Sequence, residues 1–199
     1  MIYPKSIANL IEQFQKFPSV GQKSAQRMAF HILKMPLADV EKFANGIVEA
    51  KRNTCTCEIC FNISTTSPCE ICQASNRDRS VICVVSETKD LIAIEKTNEY
   101  TGLYHVLQGV ISPMEGMGVD DIRIKELLNR LVDDKVQEVI LALNPNVEGE
   151  ATCLYLTKLI KPFGMVRLRT RKRSYYEFDF VRRARRRKGN SSGKNCCCS

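Results

Sequence analysis

The sequence predicts an α/β protein in three successive parts. A helical region covers residues 1–54, a small four-cysteine module covers 55–77, and a parallel-sheet domain covers 78–165. Three observations carry this reading. Apolar residues up to Val48 recur at helical spacing. Two Cys-x-x-Cys pairs, Cys57/Cys60 and Cys69/Cys72, follow at short separation. Beyond them, short apolar runs alternate with helical periodicity in the order β-α-β-α-β-α-β, the pattern of a parallel sheet with helices on its faces. Residues 166–199 form an atypical basic tail.

In the helical region, Ile7, Leu10, Ile11, Phe14 and Phe17 make one apolar stripe. Pro18-Ser-Val-Gly21 interrupts it, with Pro18 ending the helix and Gly21 expected to supply a positive φ. A second helix is expected over residues 22–34, with Ala25, Met28, Ala29, Ile32 and Leu33 on one face. Helix, four-residue turn, helix is the arrangement of a helix-hairpin-helix. Backbone N–H groups at the turn and at the following helix N-terminus can bind a phosphate. Lys23 and Arg27, four residues apart, can then reach adjacent phosphates without reading bases. The competing reading is an ordinary helical hairpin with a solvated basic face. His31, among apolar neighbours, is expected in the core. A third helix over 37–50 should bury Val40, Phe43, Ala44, Ile47 and Val48.

The four cysteines suit a tetrahedral Zn²⁺, because each Cys-x-x-Cys knuckle offers two sulfurs to one ion. Two disulfides or four unconnected thiols are the alternatives. Four thiolates leave no open coordination position, so the expected site is structural, one Zn²⁺ per chain. No Lys or Arg lies between Cys57 and Cys72, while Glu58 and Glu70 make the stretch acidic. It is therefore read as a staple between the helices and the α/β domain, not as a phosphate-reading finger.

In the third part, strands are expected over 80–85, 104–107, 136–143 and from 165, with helices over 88–97, 122–132 and 151–160. Asp121 is the expected cap of the second of these helices. His105 is expected to pack or hydrogen-bond, and Cys83 to be core. Ligands of such sheets sit beyond the carboxyl ends of the strands. The loops there hold Ser86-Glu87 and 144–150, whose Glu148 and Glu150 can hold Mg²⁺ or cap the next helix.

Hydrophobic residues make up 44% of the 199, enough for a packed core. No run reaches the roughly 18 apolar residues of a membrane span, and the N-terminus lacks a signal-peptide pattern. A cytoplasmic protein with reduced thiols is expected, which favours metal over disulfide. The net charge of +8 is misleading. Residues 167–199 hold nine Arg, three Lys, one Glu and one Asp, a net +10, so the other 166 residues carry a net −2. DNA binding by the body must come from local patches.

The chain resembles the RecR family of bacterial recombination mediators. The resemblance is carried by Phe17-Pro-Ser-Val-Gly-Gln-Lys-Ser-Ala-Gln-Arg-Met-Ala-Phe-His31, the four cysteines, Arg77-Asp-Arg-Ser-Val-Ile-Cys-Val-Val85, Glu99-Tyr-Thr-Gly-Leu-Tyr-His-Val-Leu107, Ser112-Pro-Met-Glu-Gly116 and Asn144-Pro-Asn-Val-Glu-Gly-Glu-Ala151. It spans residues 1–165 and implies a helix-hairpin-helix, a Cys₄ zinc finger and a Toprim domain. It also implies a ring-like homo-oligomer, dimer or tetramer, that encircles single- or double-stranded DNA without sequence preference. The family acts with RecO and RecF to help load RecA on gapped or single-stranded DNA. By position, the resemblance makes Gly21, Lys23 and Arg27 DNA contacts and Cys57, Cys60, Cys69 and Cys72 zinc ligands. It places Asn144, Glu148 and Glu150 in the Toprim acidic loop where RecO docks.

Two departures qualify it. Toprim enzymes hold Mg²⁺ with a Glu after the first strand and an Asp-x-Asp pair. Here Ser86 follows the strand, Glu87 comes one place later, and no Asp-x-Asp exists in the chain. The domain is read as a non-catalytic scaffold, the alternative being a Mg²⁺-dependent phosphoryl-transfer enzyme such as a nuclease or primase. A protein-only adaptor is a third reading. The family's Gly-rich loop, acidic segment and final helix are also missing after Gly164. Arg-rich runs and Cys196-Cys-Cys198 stand in their place. A frame shift near residue 165 accounts for this, the alternative being a divergent basic tail that binds nucleic acid nonspecifically.

Overall fold

The structure is a computed structural model that describes residues 3–132, 136–163 and 167–170. The chain divides into two compact units, Met1–Asn53 and a second beginning at Thr54.

The first unit is three helices, α1 (Lys5–Gln15), α2 (Gln22–Lys34) and α3 (Leu37–Arg52). The α1 stripe packs on α2 through Ile11, Ala25 and Ala29, with Tyr3, Ile7, Leu10, Phe14 and Val20 around them. Small residues at i and i+4 on α2 let the two helices approach closely, and that narrows the buried face. His31 therefore falls outside it and is exposed, not core. The turn also differs from expectation. Gly21 is extended (φ −79°, ψ 170°) and serves as the N-cap of α2, while Ser19 takes the left-handed conformation at φ 64°. None of the apolar residues expected to be inside on α3 is buried: Phe43, Ile47 and Val48 are exposed. The periodicity predicted the helix, but its partner is absent from the unit.

The second unit opens with a two-residue hairpin, β1 (Cys55–Thr56) against β2 (Ile63–Ser64), and the short helix α4 (Glu70–Gln73). A four-stranded sheet follows: β3 (Asp78–Val85), β4 (Gly102–Val106), β5 (Glu138–Leu141) and β6 (Arg167–Thr170). All neighbours are parallel, in the order β4-β3-β5-β6. Crossovers run through α5 (Thr88–Glu95), α6 (Ile124–Leu131) and α7 (Val147–Ile160). Alternation along β3 and β4 divides the core. Ile82, Val84, Leu103 and Leu107 face α6 and α7, whose Leu127, Leu131, Leu156 and Ile160 bury against them. Cys83, Val85, Tyr104 and Val106 face the other way, onto Leu91 and Ile94 of α5. Cys83 is a core thiol, and burial pushes its pKa up.

Two boundaries are corrected. Asp121 does not cap α6. Its carboxylate accepts from the Gly118 N–H at 2.7 Å, closing a turn upstream, and Arg123 is the N-cap residue, with no side-chain capping bond to the backbone. Helix α7 begins four residues earlier than expected, because the Asn146 side chain accepts from the Gly149 N–H at 2.9 Å. The expected acidic loop is therefore largely a helix: Glu148 and Glu150 stand in its first turn. The tail reading falls outside the described residues beyond 170, and 167–170 continue the sheet as β6.

Candidate nucleic-acid interface and metal centre

In the first unit, α2 starts without a side-chain cap and with no acidic residue in its first turn. Its orphan N–H groups are left for solvent or a ligand, and the helix dipole favours an anion there. Lys23 and Arg27 are both exposed, one turn apart, directly past that terminus. Among the described residues, no carboxylate pairs with either. Gly21, also exposed, has nothing within 4 Å of the place a Cβ would take, so a ligand backbone can approach it. Lys23 and Arg27 edge a groove of about 1170 Å³, shared with Phe30, His31, Lys34 and Phe43. Cations beside exposed aromatic rings are the equipment for phosphates and unstacked bases.

In the second unit, Cys57, Cys60, Cys69 and Cys72 are all buried, with their sulfurs within 4.8 Å of one another. The Sγ atoms of Cys57 and Cys72 are 3.9 Å apart, and those of Cys60 and Cys69 are 3.5 Å apart. A tetrahedral ion with metal–sulfur bonds near 2.3 Å requires sulfur–sulfur edges of about 3.8 Å. The cluster fits an ion and is too open for disulfides. The first knuckle closes by the Phe61 N–H donating to the Cys57 carbonyl at 3.0 Å, with Phe61 at φ 61°. The Cys69 N–H donates to the Cys57 sulfur at 3.3 Å, a bond that stabilises a thiolate. Crowding drives Cys60 and Cys69 in opposite directions. A bond from Cys72 pulls Cys60 down to about 5, whereas burial pushes Cys69 up to about 11. A divalent cation relieves that conflict by favouring the charged form of all four.

Residues 7–51 match the RecR helix-hairpin-helix family and residues 80–169 the Toprim domain family. A relative from Staphylococcus saprophyticus, Recombination protein RecR, is 54% identical over 165 residues, which is 83% of this chain and 83% of that protein.

The chain belongs to the RecR family.

A place in DNA repair and recombination follows from that membership, and the four-cysteine cluster is one that could hold a metal ion. Among the described residues no helix is long and apolar enough to cross a membrane.

The Toprim part of this RecR chain turns at the switch point between β3 and β5, where Ser86, Glu87 and Asn144 follow the strand ends. Glu87 is the N-cap of α5 in a capping box with Asp90: each side chain accepts from the other residue's backbone N–H. Lys89 pairs with it at 2.9 Å. Glu148 is half-buried and Glu150 exposed, on the first turn of α7, where the dipole favours carboxylates. Asn144, half-buried, lies just ahead of them.

Sequence reasoning missed Arg130 and its surroundings. His105 is fully buried, its Nε2 2.7 Å from the Arg123 carbonyl and its Nδ1 3.2 Å from the Arg130 guanidinium. Arginine only donates, so Nδ1 must accept and Nε2 carries the proton. Burial holds the ring neutral, with its pKa lowered to about 4. The only signal in the sequence was an Arg one residue from Leu131 on the buried side of an amphipathic helix. That pattern ordinarily means a side chain reaching out to solvent.

Proposed function

We propose that this RecR chain is a non-catalytic, cytoplasmic DNA-binding mediator. In this reading it works with RecO and RecF to help load RecA on gapped or single-stranded DNA. The observation that carries it is the uncapped, acid-free N-terminus of α2 flanked by exposed Lys23 and Arg27. Gly21 admits the backbone, the orphan N–H groups take one phosphate, and the two cations take its neighbours. Nothing in that arrangement reads a base, so binding follows the charge of the strand and not its sequence. The Cys₄ cluster takes Zn²⁺ as a structural ion, which all-sulfur tetrahedral sites favour.

A homo-oligomer is supported by the apolar face that α3 leaves uncovered. Leu37, Ile47 and Val48 of α3 are exposed, as is Leu33 of α2. Exposed apolar side chains recurring along helices mark an association surface, and a second copy of the same helices is its natural complement. Asn144, Glu148 and Glu150 are proposed as the docking point for RecO, on the exposed start of α7 beside Val147.

Absence of catalysis is supported by the missing Asp-x-Asp and by the engagement of Glu87 in capping α5. Plasmid nicking in Mg²⁺ tests it: cleavage abolished by Glu87→Gln would establish the phosphoryl-transfer reading instead. DNA binding is tested by fluorescence anisotropy of a labelled single strand across a salt series. Lys23→Ala with Arg27→Ala should lower the slope of log affinity against log salt by about 1.4, roughly 0.7 for each phosphate lost on a single strand. An unchanged slope would favour the protein-only adaptor and refute the interface.

A further inference from the structure

Strand β4 is an edge of the sheet, since it pairs with β3 alone. Its outward backbone groups nevertheless find partners. The Val106 N–H donates to the Cys60 carbonyl at 2.8 Å. The Tyr104 carbonyl accepts from the Arg130 guanidinium at 2.7 Å. Between them, the His105 ring packs edge-on against Phe61, with centroids 5.4 Å apart, and its Nδ1 takes a second Arg130 bond. Arg130 of α6 and the first cysteine knuckle thus meet over three residues of one strand.

Arg130 is a half-buried cation with no carboxylate partner among the described residues. Withdrawing a guanidinium from water without an opposing charge is unfavourable. A divalent ion on four thiolates is the reciprocal problem, a buried centre of net charge about −2. We propose that Arg130 is the counter-cation of the metal–thiolate centre, a positioning residue that sets how tightly the ion is held. The proposal rests on the metal reading above. Burial pulls the Arg130 pKa down, and the negative charge of Cys72, Cys60 and Cys57 pushes it back up. His105 completes the arrangement. Locked neutral, it accepts from Arg130 and holds the guanidinium on the knuckle side of α6. Loss of Arg130 then strands two negative charges in a dry site.

Full-length protein is first assayed for bound zinc, and one ion per chain is expected. Zinc dissociation constants are then measured by chelator competition for the wild-type chain, Arg130→Gln and Arg130→Lys. Gln can still donate to the Tyr104 carbonyl but carries no charge, and it should weaken metal binding by about 10- to 100-fold. Lys keeps the charge and should recover most of the affinity. In cobalt-substituted protein, the sulfur-to-cobalt absorption band should shift in the Gln variant and stay put in the Lys variant. Wild-type affinity in Arg130→Gln, or an equal loss in Arg130→Lys, overturns the proposal. Phenylglyoxal labelling of the unaltered chain needs no variant. Chelation should raise labelling at Arg130 more than at Arg77, which is paired with Glu95 elsewhere in the unit. An equal rise at both, or none, overturns the proposal. A wild-type chain that takes up no zinc overturns the metal reading itself.

Discussion

Glu95 is the residue whose loss should be felt most widely in the second unit. It ends α5 and meets the Arg77 guanidinium through two bonds, at 2.9 and 2.5 Å. Its Oε1 also accepts from the Tyr104 hydroxyl at 2.6 Å. Arg77 stands just before β3 and reaches the Tyr100 carbonyl as well. One carboxylate therefore joins α5, the start of β3 and the middle of β4. Glu95→Gln keeps the volume and removes the charge. Charge-assisted bonds are worth about 1.5–3 kcal/mol each when buried. The side chains of Arg77 and Glu95 are 16% and 27% exposed, so solvent screening reduces this to about 2 kcal/mol in all. With a urea m-value near 2 kcal/mol/M, the midpoint should fall by about 1 M at neutral pH. Acid should erase the difference. Burial alone would raise the Glu95 pKa, but the bonds from Arg77 and Tyr104 outweigh it and the net shift is downward. A depressed carboxyl contributes stability that is fully present above its unfolded value of about 4.3 and is lost as pH falls through the folded one. Urea titrations of wild type and variant at neutral pH and then in steps down through the acid range, with the same metal and chelator conditions for both, measure both effects. A neutral-pH midpoint within about 0.2 M of wild type, or a difference that persists in acid, would refute the reasoning.

Three further outcomes follow from single positions. Gly21→Ser places a hydroxyl where the first N–H groups of α2 lack a side-chain partner. Thermal melting should show a gain of only about 0.3 kcal/mol, since Gly is itself a fair N-cap, while anisotropy shows weaker DNA binding, because the cap competes with phosphate. Gly149→Ala sets a Cβ against the Asn144 carbonyl, which is backbone and cannot swing away. A loss of about 1–3 kcal/mol is expected in urea titration, with Gly46→Ala, in open space on α3, as the harmless comparison. Cys57→Ser should abolish zinc uptake and reduce soluble, folded protein before it changes any DNA contact. A soluble, folded variant deficient only in DNA binding would contradict the structural role of the site.

Local rules made much of this architecture legible. Two Cys-x-x-Cys pairs need only spacing to be recognised, and the apolar run around Ile82 to Val85 reads as a buried strand from composition alone. The turn at Pro18 to Gly21 was recognisable too, although which residue takes positive φ was not. Ser19 adopts it because Gly21 must already be extended to start α2. His31 and the α3 face were misread for one reason. Periodicity reports that a face is apolar, not that its partner lies in the same chain. Asn146 shifted the start of α7 through a side-chain bond to Gly149, a local bond that apolar periodicity does not report. Arg130 was invisible because its partners, Tyr104 and His105, are remote in sequence and joined only by the sheet.

The coverage of β4 has a consequence for how the protein fails. A strand edge with open N–H and C=O groups is a template for other chains. Here the groups at Tyr104 and Val106 are covered by Arg130 and by the carbonyl of Cys60, a member of the four-cysteine cluster. With the proposed ion removed, the knuckle should loosen and uncover a strand in which every residue from Gly102 to Val106 is buried. Metal-starved protein should therefore go into β-rich aggregates whose formation steepens with concentration. In cells, zinc supply would limit how much of the chain stays dispersed before it limited how tightly the chain grips DNA.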